Sequence, residues 1–389
     1  MSKQDTFGWL CSLVCLATGC AAADGSPIHD REDIAHVGVT SQAALAQGFG
    51  SVALELVDGA TLATASAALP LLAGRGIALV LHWPAESIDD PERWALVDEA
   101  VSMGIEIHPW LTLPEAHGDD QIPGTPGYST TGYFPNATNF DSWIGTSQYL
   151  MFLWRQRGLP PTTMVVDLEI RKERLLQLND LLGADVNADE LRRFLQAGIN
   201  REQYAAARVG FREYVEYAHR LGFKVNASIL LALLDDYSDG DDDLRQAFGV
   251  PLDDAPQSAG AIRWDQVSFQ AHRTLYAADV PGLSSFMVYD YGLMARERFG
   301  STVGLDIGLT HGGIDPNATL YANGSDMRLD VEAALAAGIP AERIGVYSLL
   351  GMLRNGEFRD WVQPAQAVRP AWNAPTAVVH ASSIFMDSL

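Results

Sequence analysis

Cysteine is scarce in this chain. Only three cysteines occur among the 389 residues, Cys11, Cys15 and Cys20, and all of them lie within the first twenty positions. The rest of the chain therefore cannot be held together by disulfides, and its stability has to come from a packed core. Cleavage before Cys20 would leave a single thiol, which lipid attachment would remove.

Basic residues are also few. The chain has 26 Lys and Arg against 49 Asp and Glu, a formal net charge of -23 at pH 7 and a pI near 4.6. Such a surface would be repelled by the phosphates of nucleic acid and by anionic lipid. We therefore expect no nucleic-acid partner, and ligands that are neutral or cationic.

Two kinds of motif are missing. The segment 56–60 after the first predicted strand lacks the glycine spacing of a dinucleotide-binding loop, and no His-x-His or His-Glu-x-x-His spacing occurs. We therefore expect no cofactor and no metal. A metal-dependent hydrolase or isomerase stays open as an alternative, because acceptable ligand types occur near the ends of several predicted strands: Glu55, His82, His108, Asp167 and Glu169.

The first residues have the pattern of an export signal. Lys3 lies in a short polar start, and an apolar stretch too short to span a bilayer follows it from Phe7 to Ala17. Ala17-Thr18-Gly19-Cys20 resembles the lipobox of bacterial lipoproteins. This predicts a signal peptide over 1–19, lipidation of Cys20 and a flexible tether over 20–34. The protein would then be lipid-anchored in the bacterial cell envelope and would contact the membrane only through that anchor.

Short β-rich runs alternate with helical runs from about residue 35, which indicates βα units around a parallel sheet. We predict an α/β fold: one (β/α)₈ barrel domain over 35–362 with long loop insertions, a C-terminal extension over 363–389, and a monomer. An aspartate-rich segment, 235–254, predicts a solvated insertion. An open doubly wound sheet is the competing fold.

The predicted strands number nine, one more than a closed barrel needs. The separating helices are shortest between Gln266 and Leu309, so we expect the surplus strand there. The nine predicted strands are Ser51–Val57, Ile77–Trp83, Ile105–Leu113, Thr163–Ile170, Lys224–Leu231, Gln266–His272, Ser285–Tyr291, Thr302–Leu309 and Arg343–Leu349.

Asp167 and Glu169 interrupt the apolar fourth strand. Because side chains alternate along a strand, two carboxylates at a spacing of two point to the same side. Adjacent acids at the end of a buried strand repel each other and resist desolvation, so one of them should hold a proton. The alternative is a strand that ends early and leaves both acids in solvent.

Polar and aromatic residues collect near the ends of the other predicted strands. In a barrel the C-terminal strand ends form the active-site face. Aromatic faces beside hydrogen-bonding groups suit sugar rings, which have apolar C–H faces and polar hydroxyls. We therefore predict a carbohydrate substrate, with binding residues Glu55, His82, Trp83, His108, Trp110, Asn226, Gln270 and His272.

Two short motifs resemble those of chitinase-like family 18 glycoside hydrolases. The segment 165–169 resembles the end of their Asp-x-x-Asp-x-Asp-x-Glu motif, although Val165 stands where that motif has a carboxylate, and 287–290 is similar to their Met-x-Tyr-Asp motif. The resemblance implies a barrel in which Glu169 is the general acid and Asp167 orients the substrate's acetamido group. It also implies that Tyr289 hydrogen-bonds this group and that Asp290 is a supporting acid. A surface glycan-binding lipoprotein without catalysis stays open as an alternative.

Overall fold

The computed structural model describes residues 48–56, 60–115, 129–181, 187–237, 240–253, 258, 260–277, 280–311 and 319–388. The predicted signal peptide, Cys20 and the tether lie outside the described residues, and so do residues 35–47 of the predicted domain.

Eight parallel strands close into one barrel, in which each strand pairs with its neighbours in chain order and the last pairs with the first. The predicted (β/α)₈ fold is therefore confirmed. Glu55, Glu169 and His272 each follow directly after the last residue of a strand. The strands are β1 Ser51–Leu54, β2 Ala78–Pro84, β3 Ile107–Thr112, β4 Thr163–Leu168, β5 Lys224–Leu230, β6 Gln266–Ala271, β7 Val303–Gly308 and β8 Ile344–Tyr347.

Helices connect consecutive strands on the outside of the barrel. No helix among the residues described combines the length and the apolar character needed to cross a bilayer. The α-helices are α1 Leu62–Leu72, α2 Pro91–Ser102, α3 Phe140–Gln156, α4 Lys172–Leu181, α5 Ala188–Gly198, α6 Arg201–Arg220, α7 Asp243–Phe248, α8 Arg273–Ala277, α9 Phe286–Phe299, α10 Gly324–Ala336, α11 Leu349–Arg354, α12 Phe358–Trp361 and α13 Pro375–Asp387.

The predicted strand over Ser285–Tyr291 is wrong, because this segment forms the beginning of α9. Its local run of apolar residues is typical of a buried strand. The buried positions, however, continue through Gly292 and Ala295 to Phe299, at intervals of three and four, which is the spacing of a helix face. The surplus strand therefore does lie between Gln266 and Leu309, as the short separating helices indicated.

The aspartate-rich segment is not simply solvated. Leu231–Tyr237 forms a 3₁₀ helix in which Asp235 and Asp236 are buried. Arg245 on α7 forms an ion pair with Asp236, and its guanidinium lies 4.0 Å from the ring centre of Tyr237. The burial of Asp236 is possible because a buried cation compensates its charge.

The two faces of the barrel wall differ in character. Side chains that point outward from the strands, such as Val52, Leu54 and Leu81, are fully buried against the helices. The inward positions include glycines that make room for polar side chains. A Cβ at Gly304 would lie 2.2 Å from Nε2 of Gln266, and one at Gly345 would lie 2.4 Å from Oδ1 of Asp306.

Trp83 belongs to the outer core, so its prediction as a sugar-binding residue is wrong. Because neighbouring residues of a strand face opposite sides, His82 points into the barrel and Trp83 points away from it. The Trp83 ring packs edge-on against Trp94 of α2 at 4.9 Å and lies 6.4 Å from Trp154 of α3.

Replacing Trp83 by alanine should lower the free energy of unfolding by about 3 to 5 kcal/mol, because it leaves a large cavity between β2 and two helices. Chemical denaturation measures the loss. Trp372→Ala is the matched control, since the Trp372 side chain is 73% exposed, and it should change stability by less than about 0.5 kcal/mol. Equal effects of the two substitutions would contradict the placement of Trp83.

Candidate active site

A cavity of about 220 Å³ lies inside the barrel and reaches its C-terminal mouth. The closed strand wall surrounds this cavity. Glu55, Asp167 and Glu169 line it near the strand ends, together with Gln270 and His272. Glu55, next to β1, and the two acids from β4 thus lie in the same cavity.

Asp167 and Glu169 both point into the barrel, as their spacing predicted, and both are buried. The side-chain amide of Gln270 on β6 joins them. Its Nε2 donates to Oδ1 of Asp167 at 3.0 Å and to Oε1 of Glu169 at 2.6 Å. One amide group thus holds the two carboxyl groups in a fixed relation on the cavity wall.

Burial raises the pKa of both acids. For Asp167, loss of solvation and the neighbouring charge of Glu169 place the pKa well above its ordinary value. For Glu169, loss of solvation raises the pKa to about 7, although hydrogen bonds from Gln270 and Asp167 oppose the rise. Two carboxyl groups this close cannot both ionise readily, so the pair retains a proton near neutral pH.

Glu55, immediately after β1, has different hydrogen-bond partners from this pair. Its Oε1 accepts a hydrogen bond of 2.8 Å from the hydroxyl of Tyr133, and its Oε2 accepts one from the hydroxyl of Tyr347. A carboxyl group that accepts on both oxygens fills the role of an ionised carboxylate. The mouth therefore combines a carboxylate with a proton-holding pair.

Tyr133 comes from the segment between β3 and α3, and sequence reasoning did not single it out. Its φ of 65° lies in the left-handed region, which is uncommon for a bulky residue. The amide of Leu113 donates to its carbonyl at 2.9 Å, and the side chain of Lys172 lies over its ring. These contacts hold the unusual conformation, which directs the hydroxyl to Glu55.

His82 acts behind Tyr133 and does not line the cavity. Its Nδ1 accepts from the amide of Leu56 at 3.4 Å, which leaves the proton on Nε2, 2.9 Å from Oγ1 of Thr112. Nε2 also lies 3.2 Å from the Tyr133 hydroxyl. Burial, helped by the nearby charge of Arg93, lowers the pKa of His82 to about 3, so the ring is neutral and positions Tyr133.

Asp306 on β7 is a cavity residue that sequence reasoning missed. Loss of solvation raises its pKa to about 6, and Oγ of Ser228 donates to its Oδ2 at 3.0 Å. The available signal was a single acid in the middle of an otherwise apolar strand. Its position in register with Gln270 then places it inside the barrel.

His108, Trp110, Asn226 and His272 also line the cavity, as predicted, but not all of them lie at its mouth. His108 is the second residue of β3 and Asn226 the third of β5, so both lie toward the N-terminal ends of their strands. Placing them at the strand ends was wrong, because those strands continue further. Among the described residues, Nε1 of Trp110 and Nε2 of His272 find no hydrogen-bond partner.

Tyr289 and Asp290 are not part of this site. They lie on α9, outside the barrel, because the segment that resembles the Met-x-Tyr-Asp motif is helical. Tyr289 lies beside Phe286 and Arg369. Oδ2 of Asp290 is 3.1 Å from Nε2 of His380 on α13, so Asp290 helps to attach the C-terminal helix. The catalytic roles predicted for these two residues are therefore wrong.

His380 is held between two carboxylates. Its Nδ1 lies 2.7 Å from Oδ1 of Asp235, and its ring stacks on Tyr291 at 4.2 Å. Burial alone would lower the pKa of His380, but the hydrogen bonds to Asp235 and Asp290 outweigh it and raise the pKa to about 9.

The arrangement of possible metal ligands bears on the metal-dependent alternative. Within the described parts of the chain, no three His, Cys, Asp or Glu side chains are placed so that they could share one ion. Of the five possible ligands named from the sequence, Glu55 and His82 are joined through Tyr133, and Asp167 and Glu169 through Gln270.

Comparison with known proteins gives no match to a protein-family profile and none to a characterised protein by sequence. Among solved structures, a family 17 β-1,3-glucanosyltransferase from Rhizomucor miehei is 10% identical, with a TM-score of 0.41 and coverage of 78% of this chain and 87% of that one. A chain from the structure of two fungal β-1,4-galactanases is 9% identical, with a TM-score of 0.43 and coverage of 80% of this chain and 90% of that one. An L-ribulose 3-epimerase is 14% identical, with a TM-score of 0.39 and coverage of 86% of this chain and 92% of that one. At these identities and TM-scores none of them assigns a reaction to this chain.

Asp306→Asn should change stability in a pH-dependent way. Since the folded pKa of Asp306, about 6, exceeds its ordinary 3.8, its contribution to stability is full below about pH 4 and is lost as pH rises through 6. Relative to wild type, the variant should therefore gain roughly 1 to 3 kcal/mol between pH 4 and pH 7. Urea denaturation at both pH values measures this, and a difference that does not change with pH would contradict it.

Asp290→Asn should weaken the attachment of α13 only while His380 is charged. Because the folded pKa is raised to about 9 from 6.5, the contribution is full below about pH 6.5 and is lost as pH rises through 9. We expect a loss of about 1 kcal/mol in the free energy of unfolding at pH 6, which disappears at pH 10. The same loss at both pH values would show that Asp290 does not act through the charge of His380.

Proposed function

We propose that this protein is a glycoside hydrolase that cleaves an oligo- or polysaccharide by carboxylate acid–base catalysis at the mouth of the barrel. One observation carries the proposal: a carboxyl pair that retains a proton, Asp167 and Glu169, shares the cavity with Glu55, whose two oxygens accept hydrogen bonds from tyrosine hydroxyls. Cleavage of a glycosidic bond requires this division between a proton donor and an ionised partner.

Glu169 is the general acid in this proposal. It follows the last residue of β4, so it lies closer to the mouth than Asp167. Asp167 keeps the proton of the pair in place, and Gln270 orients both groups. Transfer of the proton to the glycosidic oxygen lets the leaving sugar depart as a neutral alcohol.

Glu55 is the nucleophile or the general base in this proposal. As a carboxylate it either attacks the anomeric carbon or removes a proton from the attacking water, and the cationic character of the transition state favours its negative charge. Tyr133 and Tyr347 fix both of its oxygens, so little reorganisation is needed during the reaction.

This assignment departs from the chitinase-like version of the mechanism. That version needs a tyrosine at position 289 to hold the substrate's acetamido group, and Tyr289 lies on the outside of the barrel. Glu55 makes an acetamido nucleophile unnecessary. We therefore propose hydrolysis with a carboxylate from the enzyme and no requirement for an N-acetyl group.

We also propose that the enzyme is anchored in the bacterial cell envelope through Cys20, as the lipobox-like segment indicates. Metabolic labelling with a palmitate analogue tests this. Wild type should be labelled and a Cys20→Ser variant should not, whereas equal labelling would refute the anchor.

Glu169→Gln should lower the hydrolytic rate by about 100-fold or more, because the amide cannot supply the proton. Release of reducing ends from a panel of polysaccharides measures the rate. The matched control is Glu216→Gln on the exposed side of α6, which should leave the rate unchanged. Wild-type rates in Glu169→Gln would remove Glu169 from the mechanism, and tight glycan binding without any turnover would favour the non-catalytic alternative.

The pH profile gives an independent check on the same assignment. Since Glu169 must be protonated to act and its pKa is about 7, the wild-type rate should fall as pH rises above about 7. Glu55→Ala should be inactive but partly rescued by azide if Glu55 is the nucleophile, and the configuration of the glycosyl azide would report the stereochemistry. A rate that stays constant to pH 9 would contradict the role of the raised carboxyl pair.

A further inference from the structure

The cavity continues below the acids into the body of the barrel. Its lining includes Ser51 at the start of β1 and Gln266 at the start of β6, which lie toward the N-terminal ends of their strands. In most barrels of this type, layers of large side chains fill this space. Here β1 places only the methyl group of Ala53 in this space, between Ser51 and Glu55.

The walls of the cavity have two characters. On the side of β2 to β4, below Asp167 and Glu169 and beside His108, the lining carries an apolar patch: Val80, Trp110, Val165 and Phe134 belong to one cluster of packed side chains. On the side of β5 to β7 the lining is polar and consists of Asn226, Ser228, Gln266, Ser268, Gln270 and Asp306.

Among the described residues, some polar atoms on this lining have no hydrogen-bond partner, and two of them bear on the cavity's ligand. They are Nε1 of Trp110, whose side chain is only 7% exposed, and Nε2 of His272. A buried polar atom without a partner costs free energy, so its presence on a cavity wall points to a ligand that completes the hydrogen bond.

We infer that this cavity takes the terminal sugar of the substrate and that the enzyme removes sugars from a chain end. The inference rests on the hydrolysis proposed above. A pyranose has an apolar C–H face and a rim of hydroxyls, which match the apolar and polar walls. A cavity of about 220 Å³ is smaller than the roughly 300 Å³ at which sites for drug-sized ligands begin. It therefore suits one ring and not a length of chain.

Because the barrel is closed, only a sugar at the end of a polysaccharide can enter the cavity. Eight paired strands surround the cavity without a gap, so a sugar enters only along the barrel axis, from the mouth. An internal sugar of a polysaccharide has a neighbour on both sides and cannot enter in this way. The scissile bond of an inserted terminal sugar then lies at the level of Glu169 and Glu55, which follow directly after their strands.

Product analysis tests this inference with oligosaccharides of cellulose, xylan, galactan and chitin that carry a fluorescent label at the reducing end. Release of single sugars from the first minutes, with labelled products shortened one unit at a time, would support end-on cleavage. Mixed internal fragments from the start, with a rapid loss of polymer viscosity, would overturn it and leave the proposed hydrolysis standing. No cleavage of any substrate would refute the hydrolysis and end-on cleavage with it.

Ala53→Leu tests the cavity directly, because the larger side chain fills it without removing any polar group. Binding of free glucose, xylose, galactose and N-acetylglucosamine is followed through the indole N–H resonance of Trp110, assigned with Trp110→Phe. We expect one of these sugars to shift this resonance, and Ala53→Leu to weaken its binding by about tenfold or more. The matched control Ala95→Leu, on the exposed face of α2, should bind as wild type does. Absence of binding for all four sugars, or equal binding in Ala53→Leu, would overturn the inference.

Trp110→Phe provides a variant that should fold in any case, because Nε1 has no partner to lose. It should weaken binding of the same sugar by about two- to tenfold, the value of one net hydrogen bond. A drop in thermal stability without a change in sugar affinity would assign Trp110 to packing alone.

Discussion

The cost of placing carboxyl groups in a closed barrel governs the structure of this site. Asp167, Glu169 and Asp306 all face the interior, and for each of them loss of solvation is the largest cause of the raised pKa. The loss of solvation is offset in two ways: some of the acids keep their protons, and the barrel supplies hydrogen-bond donors to them. Gln270 and Ser228 are these donors, and the glycines of β7 and β8 make room for the groups that surround them.

The same constraint separates the two chemical roles. Glu55 receives two phenolic hydroxyls, whose donation favours a carboxylate. Asp167 and Glu169 share one amide and lie close enough to repel each other, which favours retention of a proton. In the proposed mechanism, this difference in hydrogen-bond supply within one cavity makes an acid and a base of chemically similar side chains. His82, kept neutral by burial, takes part only by positioning Tyr133.

Local periodicity accounts for most of what the sequence predicted correctly. The alternation of strands and helices predicted the barrel, and the two-residue spacing of Asp167 and Glu169 predicted their common side. The same alternation, applied to His82, would have excluded Trp83 from the cavity. Ser285–Tyr291 was misread because a short apolar run has no clear period until the following turns are included. The match of 287–290 to a known motif strengthened that error, since the motif functions only at the end of a strand.

The remaining residues depend on contacts that are distant in sequence. Tyr133 lies 78 positions from Glu55, and Tyr347 lies 292 positions from it. Contacts between residues so far apart produce no local pattern in the sequence. The position of the Tyr133 hydroxyl also depends on an uncommon backbone conformation. Asp306 carried a signal of its own, but its significance depends on the register of β7 against β6. The buried Asp235 and Asp236 were similarly hidden, because their partners His380 and Arg245 lie on other elements.

The central claim is that the barrel keeps a protonated carboxyl pair opposite an ionised one. Carbon-13 NMR of protein labelled at the glutamate side-chain carboxyl carbon measures this most directly, with the Glu169 resonance assigned from Glu169→Gln. Titration of the free protein should give a midpoint near pH 7 for Glu169. A midpoint near the ordinary value of 4.5 would show that Glu169 is ionised at neutral pH and cannot supply the proton. It would contradict the account of the site.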